Sequence, residues 1–160
     1  MRMTEINANE LPPCLIHIDK EGRWYHEGRE IIHREIVRLF YQNMELDPQG
    51  RYVINWKDQR CWVDVEDTAF VVWRVVYEEG NQVNNSQYVL HLSDDTKEML
   101  QPNTLYVGQH NVLYCKVKSL AFPARFDRAA YYQLAQYVEQ EGDTYYLPLN
   151  RKNYKLSVTE

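Results

Sequence analysis

The chain has 160 residues, 44% of them hydrophobic, and a formal net charge of −5. That much apolar sequence is sufficient to bury a core, which excludes a disordered chain, while the lack of any 18-residue apolar run excludes a predicted membrane span. Residues 1–80 carry ten Lys or Arg against fifteen Asp or Glu, and this acidic half excludes a general binder of DNA or RNA.

The first half of the sequence predicts strands on either side of one helix. Alternation in CLIHID predicts a strand over residues 14–19, and DKEG is typical of a turn into a second strand over 23–25. Helical spacing of apolar residues predicts a helix over 32–44 that the run LDPQG ends. Its predicted buried face consists of Ile32, Ile36, Leu39, Phe40 and Asn43. Strands are then predicted in RYVINW, CWVDVE, TAFVVWRVVYEE and SQYVLHLS.

The second half repeats this order with few identical letters. TLYVGQ and VLYCKVK are predicted strands, Asp127 is a predicted N-cap of a helix over 128–140, and a hairpin follows in YYLPLN and YKLSV. Equivalent elements lie about ninety residues apart, which favours a duplication in which each repeat is an antiparallel sheet packed by one helix. The predicted segments are an N-terminal arm (1–13), a first repeat (14–80), a connecting strand or linker (81–103) and a second repeat (104–160).

Three blocks of the sequence resemble the bacterial domain-of-unknown-function 1285 family. They are IDKEGRWYHEGREIIHREIVRLF, WVDVEDTAFVVWRV and RFDRAAYYQLAQYVEQEGDTYYLPL, and the resemblance spans residues 14–156. The C-terminal NRKNYKLSV departs from the Gly-rich, aromatic ending that the family leads us to expect. The positions that match the family's motifs are Asp19, Gly22, Trp24, Glu27, Gly28, Arg38, Glu66 and Asp67.

This resemblance implies an α+β fold with domain duplication, in which the second repeat is superficially similar to a pleckstrin-homology domain. It also implies that a nucleotide-like ligand binds between the two repeats in a signalling context. It transfers no catalytic residue to this sequence.

An anion site is the chemistry that the arginines favour. Arg34 and Arg38 lie near the start of one predicted helix, and Arg125 and Arg128 near the start of its counterpart. A helix N-terminus with guanidinium groups binds phosphate, so the two helix starts predict such a site if the duplication brings them together. The alternative is that the first pair of arginines pairs with neighbouring glutamates and the second pair is solvated. The candidate ligand-binding residues are Trp24, His26, Glu27, Arg34, Arg38, Glu66, Asp67, Arg125 and Arg128.

No metal site, catalytic residue or cofactor is predicted. The histidines lack the spacing of a zinc site, and no nucleophile lies beside a base. Cys14, Cys61 and Cys115 are odd in number and scattered, so we expect reduced thiols. Together with the absence of a signal-peptide core, these thiols predict the cytoplasm.

We therefore expect a non-enzymatic bacterial module that senses a small anion, nucleotides being one candidate class, at the interface between two repeats. Trp56, beside a charged hairpin turn, is the aromatic side chain most expected to be exposed and to contact a base or a partner. Two alternatives stay open. One is an interaction domain that docks a peptide or protein through a sheet edge or a pleckstrin-like surface, and the other is a small hydrolase or transferase that uses the acidic residues.

Overall fold

The structure is a computed structural model that describes residues 11–82 and 84–158. The chain divides into two compact units, and the predicted two-part α+β organisation is confirmed. The first unit contains residues 23–66 and the described chain up to Asp19, and the second contains Lys20–Gly22 and the described chain from Asp67 onward. Most of the predicted N-terminal arm, residues 1–10, lies outside the described residues.

The first unit consists of one sheet and one helix. Its described elements are β1 (Pro13–Ile18), β2 (Trp24–His26), β3 (Arg29–Glu30), α1 (Arg34–Gln42), β4 (Met44–Leu46), β5 (Tyr52–Trp56) and β6 (Gln59–Val65). The strands pair in the order β3-β2-β1-β6-β5-β4, and β1 is parallel to β6. The prediction of an antiparallel sheet is therefore wrong at this pair, because parallel pairing joins strands that are distant along the chain and have no local signal.

Helix α1 buries a different face from the predicted one. Val37 and Tyr41 are buried, whereas Ile32 is 72% and Ile36 is 42% exposed. The sequence carries two adjacent apolar stripes, and spacing alone cannot say which of them meets the sheet. The indole of Trp24 lies where the two stripes meet: it is edge-on to Tyr41, at 4.8 Å between centroids, and it also stacks on Phe40 of the predicted face.

Helix α1 also ends earlier than predicted. Asn43 is its C-cap, and the side-chain amide of Asn43 donates a hydrogen bond to the Leu39 carbonyl oxygen at 2.8 Å. The following strand β4 pairs with β5, so tertiary pairing removes these residues from the helix. The run LDPQG is consequently the turn between two strands, in which Asp47 accepts hydrogen bonds from the backbone of Gln49 and Arg51.

The second unit has a larger sheet, a small sheet and one helix. Its described elements are β7 (Phe70–Glu78), β8 (Gln87–Leu92), β9 (Lys97–Met99), β10 (Tyr106–Val107), β11 (Leu113–Val117), β12 (Phe122–Phe126), α2 (Arg128–Ala135), β13 (Glu139–Glu141), β14 (Thr144–Leu149), β15 (Lys152–Lys155) and β16 (Ser157–Val158). The larger sheet has the order β16-β10-β11-β12-β7-β8-β9, and the small one β13-β14-β15. Strands β7 and β8, which lie in the predicted first repeat and connecting segment, pair here.

Two elements of the second unit differ from the sequence prediction. Strand β12 is not predicted, because Pro123 argues against a strand in the middle of a sheet. Its parallel pairing with β7 begins only at Ala124, opposite Phe70, so the proline lies outside that ladder. Helix α2 ends at Ala135 rather than near residue 140, because the following residues form β13 and pair with β14.

The order of elements recurs between the two units, but the pairing of the strands does not. A hairpin, a helix, a short strand and a second hairpin occur as β1 to β6 and again as β11 to β15. In the first unit these strands form a single sheet, whereas in the second the last three form a sheet of their own. The larger sheet of the second unit is mixed, since β12 is parallel to β7 and β10 to β16. Similarity of this unit to a pleckstrin-homology domain stays a prediction.

Cys14 and Cys61 form a disulfide bond, so the prediction of three reduced thiols is wrong for this pair. The two residues are 47 positions apart in sequence, and the parallel pairing of β1 with β6 brings their Cα atoms to 5.0 Å. Cys115 is a free, buried cysteine, and burial strongly raises the pKa of its thiol. A pairing that depends on distant strands is not readable from cysteine spacing.

Candidate functional site

A groove of about 790 Å³ in the first unit is lined by helix α1, by strands of the sheet and by the segment that leads into β1. Most of its wall is apolar, and the side chains that dominate it are Ile16, Ile31, Ile36, Phe40, Ile54 and Trp56. The disulfide bond between Cys14 and Cys61 lies in the same wall. Small-molecule sites typically have this size and this apolar character.

Strand alternation and helix periodicity explain why these side chains meet. Ile54 and Trp56 lie two residues apart in β5 and therefore point to the same side of the sheet. The register places Cys61 opposite Ile54 and Gln59 opposite Trp56, so all four side chains share that side. The second apolar stripe of α1, which the helix does not bury in the core, contributes the opposing wall.

Three polar side chains complete the groove: His26, Gln59 and Arg60. Arg60 lies 3.5 Å from a carboxylate oxygen of Glu45, and both side chains are nearly half exposed. Arg60 is paired with Asn55, so its side chain starts from the other side of the sheet and contributes to the groove at the hairpin end. An exposed ion pair of this length contributes about 0–1 kcal/mol, so Arg60 is available to another anion. None of the described residues that line the groove is an aspartate or glutamate. The groove therefore favours an anion over a cation.

A second cavity of about 580 Å³ in the same unit contains Glu27 and has a different chemistry. His17 Nδ1 and Asp64 Oδ2 lie 2.7 Å apart in its wall, beside the half-exposed indole of Trp62. Glu27 has a φ of 47° in the turn after β2, and the next residue Gly28 also has a positive φ. The neighbouring predicted residues His26 and Glu27 consequently line separate cavities.

The two arginines of α1 lie together on its outer surface. Arg34 and Arg38 line a shallow depression of about 550 Å³ with the exposed Ile32 and with Glu35. The helix N-cap, His33, makes no capping hydrogen bond with its side chain. Of the two helix starts that were predicted to form an anion site, the start of α1 therefore has two guanidinium groups in one depression, together with the carboxylate of Glu35.

The predicted residues Asp67 and Arg125 form an ion pair in the second unit. Arg125 Nη1 donates to Asp67 Oδ2 at 2.8 Å, and the Tyr114 hydroxyl donates to the same oxygen at 2.7 Å. Burial, and after it the hydrogen bond to Asp67, raises the pKa of Tyr114 to about 12. This arrangement connects the start of β7 to β11 and β12, and it occupies Arg125 with an internal carboxylate.

The N-terminus of α2 holds a carboxylate of its own. The Asp127 side chain accepts a hydrogen bond from the Ala130 backbone N–H at 2.8 Å, which confirms the predicted N-cap. Burial raises the pKa of Asp127, and the bonds from backbone N–H groups oppose that rise. Arg128 lies over the ring of Tyr132 at 5.8 Å. A ligand anion at this helix end would meet the Asp127 carboxylate.

The two remaining predicted residues, Trp24 and Glu66, contribute to packing and strand pairing in the first unit. Trp24 is 1% exposed and stacks on Phe40 with ring centroids 6.0 Å apart, so its indole belongs to the core. The Glu66 backbone N–H donates to the Ile18 carbonyl oxygen at 2.9 Å and extends the pairing of β1 with β6. Among the nine predicted residues, the described contacts join Asp67 with Arg125, and one surface depression joins Arg34 with Arg38.

Sequence reasoning identified one member of the groove, His26, and singled out Trp56 as an exposed aromatic residue. Trp56 is 36% exposed, as that reasoning expected. The groove residues of α1, Ile36 and Phe40, had a signal in the sequence, which was the width of the apolar face of the helix. A nine-residue helix does not need two apolar stripes to cover one sheet. Arg60 carried no signal, because a single arginine after a hairpin turn is ordinary.

Replacing Asp67 with asparagine is expected to lower the pKa of Tyr114 from about 12 toward 10.0, without reaching it because burial, the largest cause, remains. A raised pKa means that the folded protein holds the phenolic proton more tightly than the unfolded chain does. Its contribution to stability is therefore complete below pH 10.0 and is lost as the pH rises through about 12. The measurement is a titration of the tyrosine ¹³Cζ resonances.

The control is Asp64→Asn, which removes a carboxylate that contacts His17 and not Tyr114. It should leave the titration of Tyr114 unchanged. If Asp67→Asn also leaves the Tyr114 pKa unchanged, the hydrogen bond between them contributes nothing to it.

Residues 11–82 and 84–158 contain neither a cluster of metal-ligating side chains nor a helix that could span a membrane. No group of three or more His, Cys, Asp or Glu side chains there could hold a metal ion. No helix in this part of the chain is both long enough and apolar enough to cross a membrane.

Comparisons with known proteins give the relatives of this chain. Residues 8–68 match the model of the N-terminal domain of a family described as domain of unknown function DUF1285. A DUF1285 family protein from Silicibacter pomeroyi DSS-3 superposes with a TM-score of 0.74 at 18% identity, over 92% of this chain and 84% of that one. One from Shewanella baltica OS155 gives 0.62 at 18% identity, over 76% of this chain and 91% of that one. No curated protein matches the sequence.

Proposed function

We propose that the first unit, which contains most of the stretch that matches the DUF1285 N-terminal domain, is a binding module for a small amphipathic anion, and that the groove beside α1 is the binding site. The apolar body of the ligand lies against Ile36, Phe40 and Trp56, and its anionic group meets Arg60. The observation that carries this proposal is the composition of the groove wall. It is apolar over most of its extent and has one permanently charged side chain, a cation.

Apolar contact supplies most of the binding free energy in this proposal. Ile36 and Trp56 are 42% and 36% exposed, and a ligand that covers them removes this apolar surface from water. Covering the exposed part of one such side chain contributes about 1 kcal/mol. The walls belong to a helix and to paired strands, so the site is largely formed before the ligand arrives and little ordering is required.

The anionic group supplies orientation and specificity. A carboxylate at Arg60 exchanges a long, exposed contact with Glu45 for a bidentate one. His26 and Gln59 are the further hydrogen-bonding side chains in the wall. A cationic ligand would meet Arg60 and find no carboxylate among the described lining residues, so charge discriminates against it.

A nucleotide is the second candidate ligand, and Trp56 is the observation that favours it. Its indole lines the groove and is accessible for stacking, and Lys57 Nζ lies 5.3 Å from the centre of the ring. In this case the base would stack on Trp56 and a phosphate would lie near Lys57 or Arg60. The ligand would then be a nucleotide, the candidate class that was predicted from the sequence. A signalling role, docking through a sheet edge and hydrolysis by acidic residues stay predictions.

A ligand series that varies only the polar end tests the proposal. Decanoate, 1-decanol and decyltrimethylammonium share one alkyl chain, and adenosine monophosphate represents the nucleotides. Calorimetry below the critical micelle concentrations is expected to give the affinity order decanoate, then decanol, then decyltrimethylammonium. Equal affinities for the three alkyl probes, or no binding by any of them, would refute the proposal. Binding of adenosine monophosphate alone would establish the second candidate.

Variants locate the site. Ile36→Ser is expected to weaken decanoate about fivefold, which corresponds to the loss of about 1 kcal/mol of apolar contact. Leu39→Ser is the matched control, because Leu39 is on the same helix and is 36% exposed but does not line the groove. Arg60→Gln should remove the preference for decanoate over decanol and leave the affinity for decanol unchanged. If Leu39→Ser weakens decanoate as much as Ile36→Ser does, the ligand is not in the groove.

A further inference from the structure

The disulfide bond of the first unit lies in the wall of the groove. Cys14 belongs to β1 and Cys61 to β6, and both residues are half-buried and line the cavity. A small dithiol in solution therefore has a route to the sulfur atoms through the same opening that a ligand uses. The bond is also the covalent link between two strands that form one side of the groove.

The backbone pairing of β1 with β6 is interrupted where the disulfide lies. The register aligns Pro13 with Trp62 and resumes with His17 opposite Asp64. Three residues of β1, from Cys14 to Ile16, are thus set against a single residue of β6 and have no register partner there. This is a bulge, and a bulge leaves its extra residues outside the ladder. The disulfide bond joins the first of these three residues, Cys14, to Cys61, the residue that precedes Trp62 in β6.

The bulge also contains a residue in an unfavourable backbone conformation. Leu15 has a φ of 64°, the left-handed region that side chains with a Cβ rarely adopt, and its side chain is 53% exposed. Its carbonyl oxygen accepts a hydrogen bond from the Glu27 backbone N–H at 3.1 Å. Such a conformation persists only where the surrounding structure imposes it, and the adjacent covalent link is one of those constraints.

We infer that the Cys14–Cys61 disulfide is a redox switch that holds the groove in its binding form, an inference that rests on the proposed function. Reduction by a dithiol transfers two electrons and two protons to the bond. The S–S bond breaks, two thiols form, and the dithiol becomes a disulfide. Leu15 is then free to leave the left-handed conformation, and the groove wall that Cys14 and Ile16 provide on either side of it loses its shape. The oxidised protein binds the amphipathic anion, and the reduced protein binds it weakly.

Coupling between ligand and redox state must act in both directions. If reduction of the protein weakens ligand binding tenfold, saturating ligand must shift the equilibrium between oxidised and reduced protein toward the oxidised form by the same factor. For this two-electron couple, a tenfold change corresponds to a shift of about 30 mV in the reduction potential. A disulfide that only stabilises the fold, with no effect on the groove, predicts no such shift.

The experiment compares the oxidised protein, the protein reduced with dithiothreitol and the Cys14→Ser/Cys61→Ser variant. We expect decanoate to bind the oxidised protein at least tenfold more tightly than the other two, and dithiothreitol to leave the affinity of the variant unchanged. Titration against a dithiothreitol redox buffer should show a lower reduction potential when decanoate is present. Amide hydrogen exchange at residues 14–16 should become faster on reduction.

The outcomes separate the switch from the proposed function. Equal decanoate affinity in the oxidised and reduced proteins overturns the switch and leaves the groove as a binding site. Slow exchange at residues 14–16 after reduction overturns it as well, because the segment is then held without the bond. If decanoate binds in neither state, the proposed function fails and the switch fails with it, whatever the exchange shows.

Discussion

Replacing Trp24 with alanine is expected to lower the free energy of unfolding by about 3–5 kcal/mol, the largest loss expected from a single change in the first unit. The indole is 1% exposed and packs between sheet and helix, stacked on Phe40 and edge-on to Tyr41. Alanine leaves a cavity under α1 that neighbouring strands cannot fill by small shifts. Urea unfolding followed by circular dichroism measures the loss.

The matched control is Trp24→Phe. It keeps an aromatic ring against Phe40 and Tyr41 and removes the indole N–H, which has no hydrogen-bond partner in the described part of the chain. An unpaired buried donor costs about 1–3 kcal/mol, so its removal offsets much of the lost volume, and the loss should stay near 1 kcal/mol. Equal losses in the two variants would mean that the indole N–H has a partner or that ring stacking contributes little.

Replacing Gly22 with alanine is expected to lower the free energy of unfolding by about 2–4 kcal/mol. Gly22 has a φ of 85°, and an added Cβ would lie 3.0 Å from the Cβ of Ser93 and 3.3 Å from Val71. Both neighbours are fully buried, and the Ser93 hydroxyl accepts a hydrogen bond from the Val71 backbone N–H. The added methyl group must therefore displace core atoms of the second unit. Urea unfolding checks this change as well.

Gly28→Ala separates the two causes of that loss. Gly28 has nearly the same φ, 83°, but nothing lies within 4 Å of an added Cβ. Only the backbone preference is lost there, about 1–2 kcal/mol. The difference between the two variants measures the cost of crowding at Ser93 and Val71. If Gly28→Ala is as destabilising as Gly22→Ala, crowding plays no part, and backbone conformation alone explains the choice of glycine.

These two predictions concern the positions at which the family resemblance was most informative. Trp24 and Gly22 match motif positions of the family, and the structure gives both a role in packing rather than in ligand contact. Conversely, the groove is built largely from residues that no motif singled out, among them Ile36, Ile54 and Arg60. In this protein, the motif residues explain the fold, and the candidate site must be derived from geometry.

The sequence by itself determined the local elements and the order in which they occur. Alternation located the hairpin of β5 and β6, helical spacing located α1 and α2, and Asp127 was recognisable as a cap because capping depends on residues three positions apart. The two-part α+β organisation followed from that order. Each of these signals lies within a few residues of the feature that it predicts.

Only the tertiary structure decided which strands are neighbours and which apolar stripe is buried. The parallel pairing of β1 with β6 joins residues 47 positions apart, and with it come the disulfide, the bulge at Leu15 and one wall of the groove. The burial of Val37 and Tyr41 rather than Ile36 depends on how α1 packs on the sheet, where Tyr41 meets the indole of Trp24. Local sequence cannot encode these results, because they depend on contacts between segments that are distant along the chain.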